Sequence, residues 1–440
     1  MESQVGYERF FDPDDIFFST TDSRGVIRRT NRTFETLSRY PRERLIGAPH
    51  NIIRHLDMPA GVFRLMWDDL EAGRPVCAYV INRALDGLDY RVFATIVPLR
   101  DGYLSVRIKP LQTATRETVE EIYRRVRSKE RELAARGGSR RQIGEHGARE
   151  LLGELGALGF GSLHDLTRVA LPEEVGALVT AGVRVPAAVG LHGPVAQILD
   201  AAAQIERETN LLVFELDEYL RLLTALAATR DSMLGVADRV EMATNAVSQY
   251  PGARESSRAQ SLASRVMELS SECVPALRSL PATMSRVQGA VLELRFSVAL
   301  MRLMTLMVGR FSRSILDGSE EDPVGSITDL CEALESGFAE LEPICVEVER
   351  GVDELDAQLG AVVPQLDRIV RRLRQWADLV DEQGAGAYAA PVATLANDGT
   401  PEVRDMAALA AECRGLTLPY NAGFAAHQLG TIRTALHQLR

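Results

Sequence analysis

The stretch Pro49–Trp67, with the sequence PHNIIRHLDMPAGVFRLMW, says most about the fold and function of this chain. After Pro59, apolar residues recur at the spacing of one helix face, namely Val62, Phe63, Leu65, Met66 and Leu70. Arg54, His55 and Asp57 come just before that face. The arrangement suits the wall of a pocket for a polar or anionic ligand with an aromatic part. Spacing alone favours a solvated turn followed by an ordinary core helix.

The same stretch resembles the PAS domains of bacterial aerotaxis receptors. Their pattern, G-x-P-H-N-x-x-R-H-P-D-M-P before an aromatic residue and M-W-x-x-L-x-x-G, is matched at Gly47, Pro49, His50, Asn51, Arg54, His55, Asp57, Met58, Pro59, Phe63, Met66, Trp67, Leu70 and Gly73. The family's N-R-x-x-x-G-x-x-Y run matches Asn82–Tyr90, and Phe17–Tyr40 resembles the start of such a domain. The ordered matches cover about residues 10 to 112, which is about a quarter of the chain.

Alternation of apolar residues and turn signals predict the layout that this resemblance implies. Two short strands, Asp15–Thr21 and Gly25–Thr30, are followed by a short helix that Asn31 caps and Pro41 stops. Three more strands are predicted at Val76–Arg83, Tyr90–Leu99 and Tyr103–Lys109. Two strands, small helices and three strands are the order of a PAS domain. In that α+β fold, helices cover one face of a five-stranded antiparallel sheet and enclose space for a ligand.

With 440 residues, the chain is longer than one compact core usually holds, and its composition indicates helices after the first domain. We predict a flexible lead at residues 1–13 and five segments. The first two are a PAS sensor domain at 1–112 and a signalling helix at 113–136. The third is a Gly/Pro-rich connector at 137–194, with short helices at 147–158 and 172–182. The last two are a long-helix bundle at 195–383 and a C-terminal segment at 384–440, which begins with a loop at 384–401 and contains short helices. A solvated spacer is the alternative for 113–136.

The bundle is predicted to be all-α, with long antiparallel helices like those of a coiled coil. A helix or helix pair is predicted at 195–250. After it, apolar residues in steps of three and four mark one long helix up to about Asp317 and another from about Ile327 to 383. The loop Asp317–Gly325 should fold the two long helices against each other. Breaks or kinks are expected at Pro275, Pro281, Pro343 and Pro364.

The sequence carries no sign of catalysis: neither a Walker loop nor the motifs H-E-x-x-H or G-x-S-x-G occur, so we do not expect an enzyme. The formal charge of −11 argues against general nucleic-acid binding. Five cysteines without C-x-x-C spacing indicate reduced thiols rather than a zinc site. With no signal peptide and no apolar run long enough for a membrane span, we expect a cytoplasmic protein.

The resemblance implies a cofactor, because the family's PAS pocket holds FAD non-covalently and its redox state is the signal. By matched position, the pocket residues would be Asn31, Arg54, His55, Asp57, Phe63, Trp67 and Asn82. An arginine can pair with an anionic group, a tryptophan offers an aromatic face, and asparagines can pair with a flavin edge. Asn31 could instead be only a helix cap. Haem is the second candidate ligand, with His55 or His50 as axial residue.

Three departures from the family pattern motivate a further alternative. Leu56 replaces a proline, Arg91 replaces an aromatic residue, and Ala84–Leu85 replaces a basic run. A ligand-free PAS domain that serves as an adaptor or dimerisation module is therefore kept beside the sensor. We expect a homodimer and an unidentified downstream signalling partner, for which the chemotaxis machinery is one candidate. The receptor tip motif N-L-L-A-L-N-A is missing from the helical part, so coupling to the chemotaxis kinase stays open.

Overall fold

The computed structural model describes residues 8–250, 257–382 and 385–440, so the predicted flexible lead and the turn after Tyr250 lie partly outside the described residues. The chain forms two compact units. The first comprises Met1–Leu212, Arg295–Glu342 and Tyr420–Arg440, and the second comprises Val213–Leu294 and Pro343–Pro419. Each unit therefore contains a part of both long helices.

A five-stranded sheet forms the centre of the N-terminal region. Its strands are β1 Phe17–Thr21, β2 Ile27–Thr30, β3 Val76–Arg83, β4 Asp89–Leu99 and β5 Gly102–Ile108. They lie in the order β2-β1-β5-β4-β3, and every neighbouring pair is antiparallel. The central strand β5 pairs with β1 through Ser19 and Ser105 and with β4 through Ala94 and Arg107. The predicted PAS layout is confirmed, with strand ends within two residues of the prediction.

Small helices cover the inner face of this sheet. They are α1 Arg32–Ser38, α2 Arg42–Leu45, a 3₁₀ turn at His50–Ile53, and α3 Ala60–Glu71. Asn31 caps α1, because its side chain accepts a hydrogen bond from the Phe34 N–H. Apolar residues of α3, among them Val62, Met66 and Leu70, are buried against the sheet. This face of the domain therefore holds most of the residues that the family pattern singles out.

The outer face of the sheet is covered as well. Helices α4 Thr113–Ala135, α5 Arg140–Ala157 and α6 Leu163–Thr180 follow the last strand. The Thr167 hydroxyl of α6 bonds the backbone of Cys77 on β3, and the Tyr79 hydroxyl donates to the Glu174 carboxylate at 3.0 Å. Helix α5 packs on α3 and α4. The connector helices are thus longer than predicted, because Ser139 starts α5 with a capping box and Pro172 lies inside α6 without ending it.

Helix α4 is packed on the domain rather than exposed to solvent along its length. Its apolar residues Val119, Ile122, Tyr123 and Val126 are buried, so the solvated-spacer interpretation is wrong. Two buried carboxylates fix its ends. Glu174 accepts hydrogen bonds from the Leu111 and Gln112 N–H groups just before α4. Glu130, near the other end of α4, accepts from the Ala60 and Gly61 N–H groups at 2.9 Å each and so caps α3.

The long helices of the chain are α7 Pro194–Ala228, α8 Arg230–Ser248, α9 Ser257–Asp317 and α10 Pro323–Glu382. The predicted breaks at prolines do not occur, since α9 and α10 continue through Pro275, Pro281, Pro343 and Pro364. A buried apolar stripe along each helix offsets the one backbone hydrogen bond that each proline removes.

Helices α9 and α10 run antiparallel, as predicted. In the first unit, Met301 lies against Gly337, and in the second unit Val287 lies against Gly351. Because positions later in α9 meet positions earlier in α10, the two helices run in opposite directions. A glycine at each crossing leaves room for the facing side chain.

Short helices end the chain, at α11 Ala390–Asp398, α12 Pro401–Gly415 and α13 Ala422–Leu439. Helix α11 occupies part of the stretch where a loop was predicted. Pro391 at its second position fits a helix start, where a missing N–H costs nothing. Within the described residues, no helix combines the length and the apolar character that a membrane crossing requires.

We expect Glu130→Ala to destabilise the N-terminal region by about 2 kcal/mol, because two N–H groups at the start of α3 lose their acceptor. Thermal unfolding of the full chain should show its midpoint lowered by about 4–8 °C. The matched control is Glu132→Ala on the exposed side of the same helix. Equal midpoints for the two variants would contradict the capping role.

Candidate functional site

A cleft of about 350 Å³ lies between the sheet and α3, a volume in the range of small-molecule sites. The sheet, the β1–β2 turn, the 3₁₀ turn and α3 all contribute to its wall, through Thr21, Arg24, Gly25, Pro49, His50, Asn51, Ile53, Arg54, Phe63, Met66, Trp67, Leu70, Val80, Asn82, Ala94, Ile96, Tyr103, Ser105 and Arg107. None of these described lining residues is acidic. The cleft is therefore apolar with a positive potential.

Aromatic rings form one side of the cleft. The Trp67 ring meets the Tyr103 ring edge-to-face, with centroids 5.4 Å apart. Trp67 also packs on Gly25 in the β1–β2 turn, where a β-carbon would lie only 3.2 Å from the indole and where φ is +76°. Glycine is thus required at this turn for two reasons. These rings and the small Ala94 leave flat apolar space, which suits a planar aromatic ligand.

Arg107, on the central strand β5, places a positive charge at the wall of the cleft. Its side chain is buried, with only 4% of its surface exposed. The guanidinium donates to Ser19 Oγ at 3.3 and 3.4 Å and to His50 Nε2, and it has no carboxylate partner among the residues that the structure describes. Burial lowers the pKa of Arg107 to about 10, so the group stays charged at neutral pH. A buried cation without an acidic partner is costly unless a ligand compensates it.

His50 is the acceptor for Arg107 and is therefore neutral. Burial, and then the charges of Arg107 and Arg54, hold the pKa of the His50 imidazole well below its usual value. A neutral ring whose Nε2 accepts from Arg107 must carry its proton on Nδ1. The His50 ring also stacks on Phe34, with centroids 5.8 Å apart. Arg107, His50 and Ser19 form one preorganised polar group at the wall.

Further polar groups on the wall lack a protein partner. In the described part of the chain, the buried Asn82 Nδ2 and Ser105 Oγ have no hydrogen-bond partner. Arg54 likewise has no ion pair there; its guanidinium lies over the Phe63 ring, 3.5 Å from the centroid, and burial lowers its pKa. Unsatisfied buried polar groups are rare in folded proteins. Two cations, an amide donor and a hydroxyl are thus available to one electron-rich planar ligand.

The structure brings four of the seven sequence-predicted site residues to this cleft, namely Arg54, Phe63, Trp67 and Asn82. It uses the other three elsewhere. The Asn31 side chain forms hydrogen bonds with three backbone groups: it accepts from the Phe18 and Phe34 N–H groups and donates to the Ile16 carbonyl. His55 Nδ1 accepts from the Asp57 N–H, and its Nε2 lies 2.6 Å from Arg83 Nη2. The Asp57 carboxylate pairs with Arg131 of α4.

Sequence reasoning missed Arg107 and Ser105 and gave His50 only a secondary role. A signal for the first two was present. Ser105 and Arg107 alternate with apolar residues in β5 and so share one sheet face, and polar residues on the ligand-facing side of a central strand are unusual. The lack of a hydrogen-bond partner for Ser105 Oγ cannot be predicted from the sequence, because it depends on which groups the fold brings near that atom.

The donor set of the cleft fits an organic anion or a polarised carbonyl better than a metal ion. Among the described residues, no group of three or more His, Cys, Asp and Glu side chains is placed to hold a metal. Among the lining residues that the structure describes, His50 supplies the one imidazole, and its Nε2 accepts a hydrogen bond from Arg107.

Comparison with known proteins agrees with this geometry. No family model matches the chain. Over 114 residues, the chain is 40% identical to an aerotaxis receptor of Escherichia coli (strain K12). The match covers 25% of this chain and 21% of the relative, so the chain spans about a fifth of the length of the curated relative that it matches. The N-terminal quarter of the chain thus combines a PAS-like fold with sequence similarity to an aerotaxis receptor.

The departures from the family pattern lie outside the cleft of the PAS domain. Leu56 is exposed, and the side chain of Arg91 lies on the outer face of the sheet, where it pairs with Glu8 and with Glu120 of α4. Ala84 and Leu85 follow β3 and do not line the cleft either. Arg91 thus connects the sheet to α4, and none of these positions lines the cleft.

We expect the His50 imidazole of the PAS domain to stay neutral as the pH falls through 6.5, where an ordinary histidine takes up its proton. Because the unfolded chain binds that proton more readily, the contribution of His50 to stability is complete above this pH and is lost as the pH falls below it. NMR titration of histidine-labelled protein measures this directly. Arg107→Met should move the His50 titration upwards, and an ordinary titration in the unsubstituted protein would contradict the assignment.

Proposed function

We propose that this protein is a cytoplasmic redox, oxygen or energy sensor whose PAS domain binds FAD and signals through its helical part. The similarity to an aerotaxis receptor supports the class of protein. The single observation that supports FAD as the ligand is the cleft itself, where an apolar aromatic wall meets a buried arginine without an acidic partner among the described residues. A sensor rather than an enzyme fits a cleft whose only imidazole serves an arginine.

The residues of the cleft fit a flavin. An isoalloxazine ring is planar and apolar along one edge, which suits the space beside Trp67 and Tyr103. Its other edge carries carbonyl oxygens and ring nitrogens, which suit the free amide of Asn82 and the free hydroxyl of Ser105. When bound, FAD supplies reversible electron transfer. Arg54 and Arg107 would stabilise negative charge on the ligand, since both guanidinium groups lack an acidic partner in the described chain.

The two alternatives from the sequence have less support. A ligand-free adaptor was motivated by Leu56 and Arg91, and both lie away from the cleft. Haem would need an axial imidazole, but His50 Nε2 faces Arg107 and His55 Nε2 faces Arg83. Coordination by either residue would have to displace an arginine. Both alternatives give distinct outcomes in the experiment that follows.

Purified full-length protein, supplemented with FAD and desalted, should retain a flavin absorption spectrum. Arg107→Met and Arg54→Met should each weaken FAD binding at least about tenfold, because each removes a charge-assisted contact. Arg64→Met is the matched control, since Arg64 lies on α3 outside the cleft and pairs with Asp68. Binding is measured by the loss of free-flavin fluorescence on titration.

Other spectra would decide against this proposal. A Soret band would identify haem as the ligand. A protein that stays colourless after incubation with FAD, although it is folded by circular dichroism, would indicate the ligand-free adaptor. Equal FAD affinity in Arg107→Met and Arg64→Met would show that a flavin binds without using the cleft cation.

We also propose that the protein forms a homodimer, as PAS domains commonly do. Any such contact must avoid the parts of the sheet's outer face that α4 and α6 cover within the chain. Light scattering of the full chain at micromolar concentration should give twice the mass of 48.3 kDa. A mass equal to one chain across that range would contradict the dimer while leaving the ligand proposal standing.

A further inference from the structure

The turn between α9 and α10 lies against the PAS domain within the first compact unit. We call residues 317–329 the acidic turn, because this segment carries five carboxylates, at Asp317, Glu320, Glu321, Asp322 and Asp329. The side of the PAS domain that it contacts is formed by β2 and by the starts of α1 and α2. This side is basic, with Arg29 and Arg42 as its main charges.

Arg29 of β2 makes the central contacts with the acidic turn. Its Nε donates to Asp322 Oδ2 at 2.9 Å, and its Nη1 donates to the Asp329 carboxylate. Arg42 Nε lies 2.6 Å from Glu321 Oε2. The first N–H group of α1, that of Arg32, donates to both Glu320 oxygens at 3.0 and 3.1 Å. Four of the five carboxylates in the acidic turn are therefore held by the PAS domain.

An apolar contact accompanies these charges. The Phe18 ring of β1 meets the Phe311 ring of α9 edge-to-face, with centroids 4.9 Å apart, and both side chains are buried. Beside them, Arg310 of α9 donates to the Asp14 carboxylate at 2.6 Å. A buried aromatic centre surrounded by charge pairs is the anatomy of a specific protein interface rather than of a chance surface contact.

The β1–β2 hairpin connects this interface to the cleft. Its turn holds Gly25, on which Trp67 packs, and the Gly25 carbonyl accepts a hydrogen bond from the His50 N–H at 2.9 Å. Thr21 at the end of β1 lines the cleft, and Arg29 lies four residues beyond Gly25 on β2. A shift of the Trp67 ring would therefore move the same hairpin that carries Arg29.

We propose that this basic side of the PAS domain is its output surface, and that the acidic turn of the same chain is the partner that reads the state of the cleft. The inference rests on the proposed sensor function. Signal passes from Trp67 through the β1–β2 hairpin to the point where the two longest helices join. Helix α4 also touches α3, but it leads into α5 and α6, which pack on the domain itself.

Hydrogen–deuterium exchange of the full chain, followed by mass spectrometry of peptides from 317–329, tests the interface. Arg29→Glu should raise amide exchange in the acidic turn at least about tenfold, because like charges then face each other. Arg28→Glu is the matched control: it changes the same charge on the neighbouring, exposed residue of β2. Combining Arg29→Glu with Asp322→Arg and Asp329→Arg should restore slow exchange. Equal exchange in the Arg29 and Arg28 variants would overturn the interface.

A second arm tests the connection to the cleft. Trp67→Ala removes the ring that packs on Gly25, whereas Phe63→Ala enlarges the same cleft without touching Gly25. The first change should alter exchange in the acidic turn at least threefold, as an order-of-magnitude expectation for a local opening equilibrium, and the second should leave it unchanged. No effect of Trp67→Ala would overturn the output route. Both arms use the protein without added flavin, so a failure of FAD binding leaves their outcome interpretable.

Discussion

A positive charge held inside the PAS domain is the constraint on which the site depends. Arg107 sits on the central strand, and in the described chain its side chain donates hydrogen bonds to a hydroxyl and to a neutral imidazole but pairs with no carboxylate. Burial, together with the charges of Arg107 and Arg54, lowers the pKa of His50, and the hydrogen bond from Arg107 fixes the tautomer of that ring. None of the described residues in the cleft wall is acidic. Such an arrangement makes physical sense when a ligand brings negative charge or a polarised carbonyl to the cleft.

The second constraint is that both faces of one small sheet are buried within the chain. Inner-face residues alternate with outer-face residues along each strand, so Asn82, Ala94 and Arg107 face the cleft while Tyr79 and Arg91 face α4 and α6. The outer face at β1 receives Phe311 of α9. In a domain covered in this way, helices of the same chain are already packed against both faces of the sheet.

Much of this could be predicted from the sequence, because strand alternation, turn residues and an ordered family pattern are local signals. They located the five strands and the cleft helix, and they selected four residues that line the cleft. What they missed depends on contacts between distant segments. The backbone partners of Asn31, the ion pair of Asp57 with Arg131 and the orphaned Ser105 hydroxyl appear only after folding. The prolines of α9 and α10 were misjudged for the same reason, because tertiary packing outweighs one lost hydrogen bond.

The most direct test of the account is a crystal structure of the full-length protein after incubation with FAD. The account predicts ligand density in the cleft between α3 and the sheet, with polar ligand atoms within hydrogen-bond distance of Arg107, Asn82 and Ser105. Density for the flavin at any other surface, or a cleft closed by protein side chains under saturating FAD, would contradict it.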